Sequence, residues 1–96
     1  MYTKQMYIAR MNTSADRVIG AQLKQLRKRQ ELTQKDLARR LSVTQPMISK
    51  IEAGERSLRF HEVFAYASAM DVTPERLYLS LRTALREDED TSEIMH

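Results

Sequence analysis

Thr33-Gln34-Lys35-Asp36-Leu37-Ala38-Arg39-Arg40-Leu41-Ser42-Val43-Thr44-Gln45-Pro46-Met47-Ile48-Ser49-Lys50-Ile51-Glu52-Ala53-Gly54 is the stretch on which the fold turns. Thr33 is a good helix N-cap, and Asp36, three residues on, can serve as the acid of a capping box. Leu32 and Leu37 sit where a hydrophobic staple would close over that cap. Leu37, Ala38 and Leu41 then face inward, and the small Ala38 suits a close helix crossing. Thr44 repeats the cap, and Val43 with Ile48 repeats the staple. Pro46 falls in the first turn of this second helix, where its missing N–H costs no helical bond. Gly54 supplies a stop two residues after Glu52. The pattern predicts two short helices joined by a tight turn.

The second of these helices has two unlike faces. Ile48 and Ile51 point to a core, while Gln45, Pro46, Ser49 and Lys50 share the opposite side at helical spacing. A polar helix offered outward from an inward-packed partner is the layout of a helix-turn-helix, which sets its second helix in the DNA major groove. The side-chain chemistry agrees. A glutamine amide can pair bidentately with adenine N6 and N7, and a lysine can donate to guanine O6 and N7. Pro46 can do neither and at best packs on a thymine methyl.

Working outward, a first helix starts near Thr13 or Ser14, with Asp16 placed for the helix N-terminus. Ile19, Leu23 and Leu26 form one apolar stripe, and Arg17, Lys24, Lys28 and Arg29 fall off it. A fourth helix covers about 60–70, with Val63, Ala67 and Met70 as its inward row and Phe60 or Phe64 nearby. Thr73 caps a fifth helix that has Pro74 at its first position. Leu77, Leu81 and Leu85 recur along it every four residues, with Tyr78 beside them. Leu77 reads as core. Tyr78, Leu81 and Leu85 have no sixth helix to cover them and read as contacts to a second copy. Residues 1–12 show no period and read as a flexible arm, and the acidic 87–96 reads as a disordered tail. The fold class is all-α, one five-helix domain over residues 13–86.

Composition narrows the function. The 96 residues contain no cysteine, which removes disulfides, thiolate metal sites and cysteine nucleophiles. No apolar run approaches the roughly 20 residues of a membrane span, so the reading is a cytoplasmic protein with no membrane partner. His61 and His96 are isolated, and no nucleophile–base arrangement stands out. Neither a metal, a cofactor nor an enzyme is expected. Charge is distributed unevenly: residues 16–60 carry eleven Lys/Arg against five Asp/Glu, whereas residues 82–96 carry two against five. The basic segment coincides with the two-helix stretch, which suits a polyanion such as double-stranded DNA.

Three runs carry a resemblance: Leu32 to Ala38, then Val43-Thr44-Gln45, then Ile48 to Arg56. Together with Ala69 to Leu77, they resemble the phage-repressor family (lambda repressor and Cro-type) of helix-turn-helix proteins. The likeness spans roughly residues 16–80. It implies a five-helix domain whose third helix reads bases, with Gln45, Pro46 and Lys50 at the reading positions and Ser49 on the same face. It implies a phosphate contact at Gln34, with Thr44, Lys35 and Arg56 as further candidates. Arg27 and Glu52 match positions that form a partly buried ion pair in some relatives. Ser42 stands where relatives often have glycine, which strains the backbone if the turn is left-handed. The implied function is a sequence-specific transcriptional regulator, a repressor on a palindromic operator as a homodimer. The alternatives are an antitoxin with a toxin or other regulator as protein partner, and an interaction module that has lost DNA binding.

Overall fold

In the computed structural model the chain is described over residues 13–95, with side chains described as far as Asp88. The arm assigned to residues 1–12 lies outside these residues. Among the described residues five helices follow one another: α1 Thr13–Arg29, α2 Gln34–Leu41, α3 Gln45–Glu52, α4 Phe60–Ala69 and α5 Pro74–Met95. α1 packs against α3 and α5, α2 against α3 and α4, and α4 against α5.

Local chemistry starts the helices. At α2 the capping box is complete: the Asp36 N–H donates to Thr33 Oγ1 and the Thr33 N–H to Asp36 Oδ2, both at 3.0 Å. Hydrogen bonding from Thr33, its backbone N–H first, holds the exposed Asp36 carboxyl below its usual value. Thr73 caps α5 through the Arg76 N–H at 3.1 Å. Thr44 differs from the expectation. It has the extended N-cap backbone, yet its side chain accepts no capping bond. Pro46 has no N–H to offer, and the Met47 N–H is turned onto the Thr44 carbonyl at 3.2 Å, so neither usual donor reaches the hydroxyl.

The helix ends share one device. Glu31, Ser42, Gly54 and Asp71 have φ of 59°, 57°, 78° and 59°, all left-handed. The next residue in each case donates its N–H back across the helix end: Leu32 to Arg27, Val43 to Ala38, Glu55 to Lys50 and Val72 to Ala67. Val43 and Val72 then drop onto the core. Three of these four positions are not glycine, and each costs about 1 kcal/mol in backbone strain.

The centre is filled by Leu23, Leu37, Ile48, Met70 and Leu77, with Ala38, Ile51, Tyr66, Ala67 and Ala69 around them. Ala38 is buried, and another close approach lies between α1 and α3. A Cβ on Gly20 of α1 would stand 2.3 Å from the Ile51 carbonyl oxygen and 2.7 Å from that of Glu52. A Cβ on Gly54 would stand 2.7 Å from Arg17 Cα. Two glycines therefore let the α1 backbone lie directly on the C-terminal end of α3.

Some of the apolar residues are placed otherwise than their period predicts. Leu81 is a core residue, 7% exposed, because α5 packs on both α1 and α4 and buries it within the chain. It is not free for a second copy. Among the described side chains of this helix, Tyr78 at 59% and Leu79 at 52% are the exposed large apolar pair, and Leu85 is half-buried. Phe60 and Phe64 are exposed too, packed edge-to-face on each other at 5.5 Å. The acidic segment also differs from expectation, since α5 runs unbroken through Glu87 to Met95. No glycine or proline follows Pro74, and the alanine, arginine and glutamate there are sound helix formers.

Candidate nucleic-acid interface

The faces of α3 sort cleanly. Ile48 and Ile51 are buried and Met47 is half-buried, so the helix is pinned by one side. Gln45, Pro46, Ser49 and Lys50 are all exposed on the other. Between them they offer one amide, one hydroxyl, one ammonium group and one apolar ring.

A buried ion pair holds the base of this helix. Arg27 of α1 meets Glu52 of α3 with Nε–Oε2 at 2.6 Å and Nη2–Oε1 at 3.0 Å, and the two side chains are 8% and 3% exposed. The third guanidinium nitrogen, Nη1, donates to the Leu32 carbonyl at 2.7 Å. This fork-on-fork geometry is what lets two charges leave water together. The same carboxylate accepts from Gln34 Nε2 at 2.9 Å. Gln34 Oε1 in turn lies 3.5 Å from Gln45 Nε2. A continuous polar chain thus runs from the buried pair to the first exposed residue of α3.

Beside Gln45 lies an open cleft of about 570 Å³, lined by Arg27, Lys28, Glu31, Leu32, Thr33, Gln34, Lys35 and Gln45. The first two backbone N–H groups of α2, those of Gln34 and Lys35, point from a helix start and have no intrahelical acceptor. Two ammonium groups and the positive end of a helix share one recess, a setting suited to a phosphate oxygen. Thr44 is exposed next to this edge, and its hydroxyl is unspent on capping.

Arg56 is the departure among the phosphate candidates. Its guanidinium is closed on Glu62 of α4, Nη1–Oε1 at 2.6 Å and Nη2–Oε2 at 2.7 Å, with a further bond to the Ser57 carbonyl at 3.0 Å. The charge is spent on bracing the loop between α3 and α4. Glu62 also accepts from the Arg59 N–H at 2.7 Å, the one half of a capping box open to it, since an arginine side chain has no acceptor to return.

The Arg56 hydrogen bonds, against the opposing effect of burial and helped by the Arg59 N–H, pull the Glu62 pKa down to about 2. They raise that of Arg56. A carboxyl lowered from 4.5 to about 2 on folding adds stability above its unfolded value and loses it as pH falls toward 2. At 1.36 kcal/mol per unit the limit is roughly 3 kcal/mol, and solvent screening brings it to about 1–2 kcal/mol. Thermal melts between pH 6 and pH 2.5 are expected to show wild type losing that much more stability than Glu62→Gln. Equal slopes would refute the assignment.

Lys28 was legible only in part. It lies off the α1 stripe at i+4 from Lys24, but nothing local says that the turn after α1 folds it into the cleft. Gly20 carried a signal of its own, because a glycine in a helix interior costs about 1 kcal/mol and calls for a packing reason.

The helix-turn-helix family pattern matches residues 23–77. No curated protein matches the chain. Solved structures do. The restriction-modification controller protein C.AhdI from Aeromonas hydrophila is 26% identical, with a TM-score of 0.60 over 65% of this chain and 94% of its own. Wild-type C.Esp1396I, also a restriction-modification controller, is 20% identical, with a TM-score of 0.71 over 79% of this chain and 99% of its own. The clp gene regulator ClgR from Corynebacterium glutamicum, 15% identical, reaches 0.75 over 84% and 86%. The last two share the fold. C.Esp1396I is also known as a tetramer in complex with its natural 35 base-pair operator.

Proposed function

This chain belongs to the lambda-repressor/Cro-like helix-turn-helix family of DNA-binding regulators, and from that premise we propose a cytoplasmic, sequence-specific repressor that binds a palindromic operator as a homodimer. One observation carries the reading. The exposed face of α3 stands directly beside the recess formed by the α2 N-terminus, Lys28 and Lys35. That juxtaposition supports a reading with base readers and a phosphate seat side by side, as groove docking requires.

In this reading Gln45 pairs with adenine, Lys50 donates to guanine, and Pro46 packs on a thymine methyl with Ser49 between them. The backbone N–H of Gln34, with Lys35 and Thr44, holds the DNA backbone. The exposed Tyr78 and Leu79, with half-buried Leu85, supply apolar surface for a second copy. A two-fold dimer places half-site centres about 10–10.5 base pairs apart. The tetramer that C.Esp1396I forms on its operator supports self-association on DNA. The antitoxin alternative leans on residues 1–12 and the acidic tail, and no observation favours it.

Selection of bound sequences from random double-stranded DNA, followed by titrations at fixed salt, tests the assignment. Gln45→Ala and Lys50→Ala are each expected to lose about 1–3 kcal/mol of discrimination at one base pair. Lys35→Ala is expected to weaken all sequences alike and to reduce the salt slope by about 1. Discrimination that survives both reader substitutions would refute the assignment.

A further inference from the structure

We propose that the buried Glu52 carboxylate is a positioning group for sequence choice: acting through Gln34, it sets the Gln45 amide to accept adenine and refuse guanine. This rests on Gln45 being a base reader, as argued above.

The direction of the chain is forced by what each group can do. An ionised carboxylate only accepts hydrogen bonds. Glu52 Oε1 takes one from Arg27 Nη2 at 3.0 Å and one from Gln34 Nε2 at 2.9 Å. Gln34 must therefore turn its NH₂ inward and its oxygen outward, since the reversed amide would set oxygen against oxygen. The outward oxygen can only accept, and Gln45 Nε2 faces it at 3.5 Å, the long end of hydrogen bonding. Arg27, held at both Glu52 and the Leu32 carbonyl, keeps the carboxylate from rotating away. The orientation is written from the core outward, before any DNA arrives.

What remains on Gln45 is one N–H and one carbonyl oxygen. Adenine presents an acceptor at N7 and a donor at N6, which match that pair. Guanine presents two acceptors, N7 and O6, so the Gln45 oxygen would confront O6. A glutamine freed from the chain can instead turn both N–H groups toward guanine. Glu52, buried and remote from the groove, thus acts on base choice through its charge.

Arg27→Met/Glu52→Met replaces the pair by apolar side chains, an exchange that is often neutral for folding, and leaves every proposed DNA contact in place. Dissociation constants are measured for all four base pairs at the position read by Gln45 and at the one read by Lys50. The preference for adenine over guanine is expected to fall about tenfold at the first position and to stay unchanged at the second. An unchanged ratio at the first overturns the proposal. So does an equal fall at both, which would mean that the pair merely holds α3 in place. Gln34→Met cuts the chain while leaving Arg27–Glu52 intact and keeping the backbone N–H of residue 34, and is expected to show the same selective loss. It decides the matter if the double variant does not melt cooperatively. A wild type that prefers a base other than adenine at the Gln45 position overturns the relay alone, and one with no sequence preference anywhere overturns the regulator reading with it.

Discussion

Gly20→Ala is expected to destabilise the protein by about 3 kcal/mol, which lowers the melting temperature of a domain this size by roughly 12 °C or more. Two effects of opposite sign compete. Alanine is the better helix former by about 1 kcal/mol, and on an open helix face that gain would win. Here the added carbon would lie 2.3 Å from the Ile51 oxygen and 2.7 Å from the Glu52 oxygen. Both are backbone atoms and cannot swing aside like a flexible side chain, so α1 and α3 must part. Parting them also pulls Arg27 from Glu52, since each helix carries one of the two. Thermal or urea denaturation reads the sign directly. A rise in melting temperature would show that the two backbones do not meet as described.

Glu52→Ala is expected to cost about 3–5 kcal/mol, because it leaves the Arg27 guanidinium buried without a counter-charge. Arg27, with a side chain 8% exposed, keeps only the Leu32 carbonyl. Gln34 loses its acceptor in the same step. The contrast with Arg27→Met/Glu52→Met separates the harm of a stranded charge from the net value of the pair. The double variant is expected within about 1 kcal/mol of wild type by the same denaturation measurement. If the single and double variants lose stability equally, the pair is not coupled as the geometry states.

Features written within a few residues were legible in the chain. The Thr33–Asp36 box, the staple at Val43 and Ile48 and the outward set of Gln45, Ser49 and Lys50 depend on spacing alone. Features made by distant segments were not. Gly20 faces Ile51 and Glu52, some thirty residues further on, so no local pattern names its neighbour. Arg56 read as a phosphate candidate because Glu62 returns to it only across the loop into α4. Leu81 shares its period with Leu77, and period alone does not say how deep a stripe runs before cover ends. At the acidic end, charge suggested a tail, but helix propensity without a breaker carried α5 to Met95. The link from Glu52 through Gln34 to Gln45 joins three positions that the sequence singled out separately and whose connection it did not show.

The left-handed residues at the helix ends bear on how such a protein changes over generations. Glu31, Ser42 and Asp71 hold φ of 57° to 59° with side chains that resist it. Glycine at each would relieve that strain, and after allowance for the looser unfolded chain would return about 0.5–1 kcal/mol. None of the three is among the proposed readers on α3. A substitution that retunes Gln45 or Lys50 at some cost to folding can therefore be compensated by single changes at sites that do not touch a base. Under the proposed reading, the capacity to acquire new operators lies partly in turns outside the reading face.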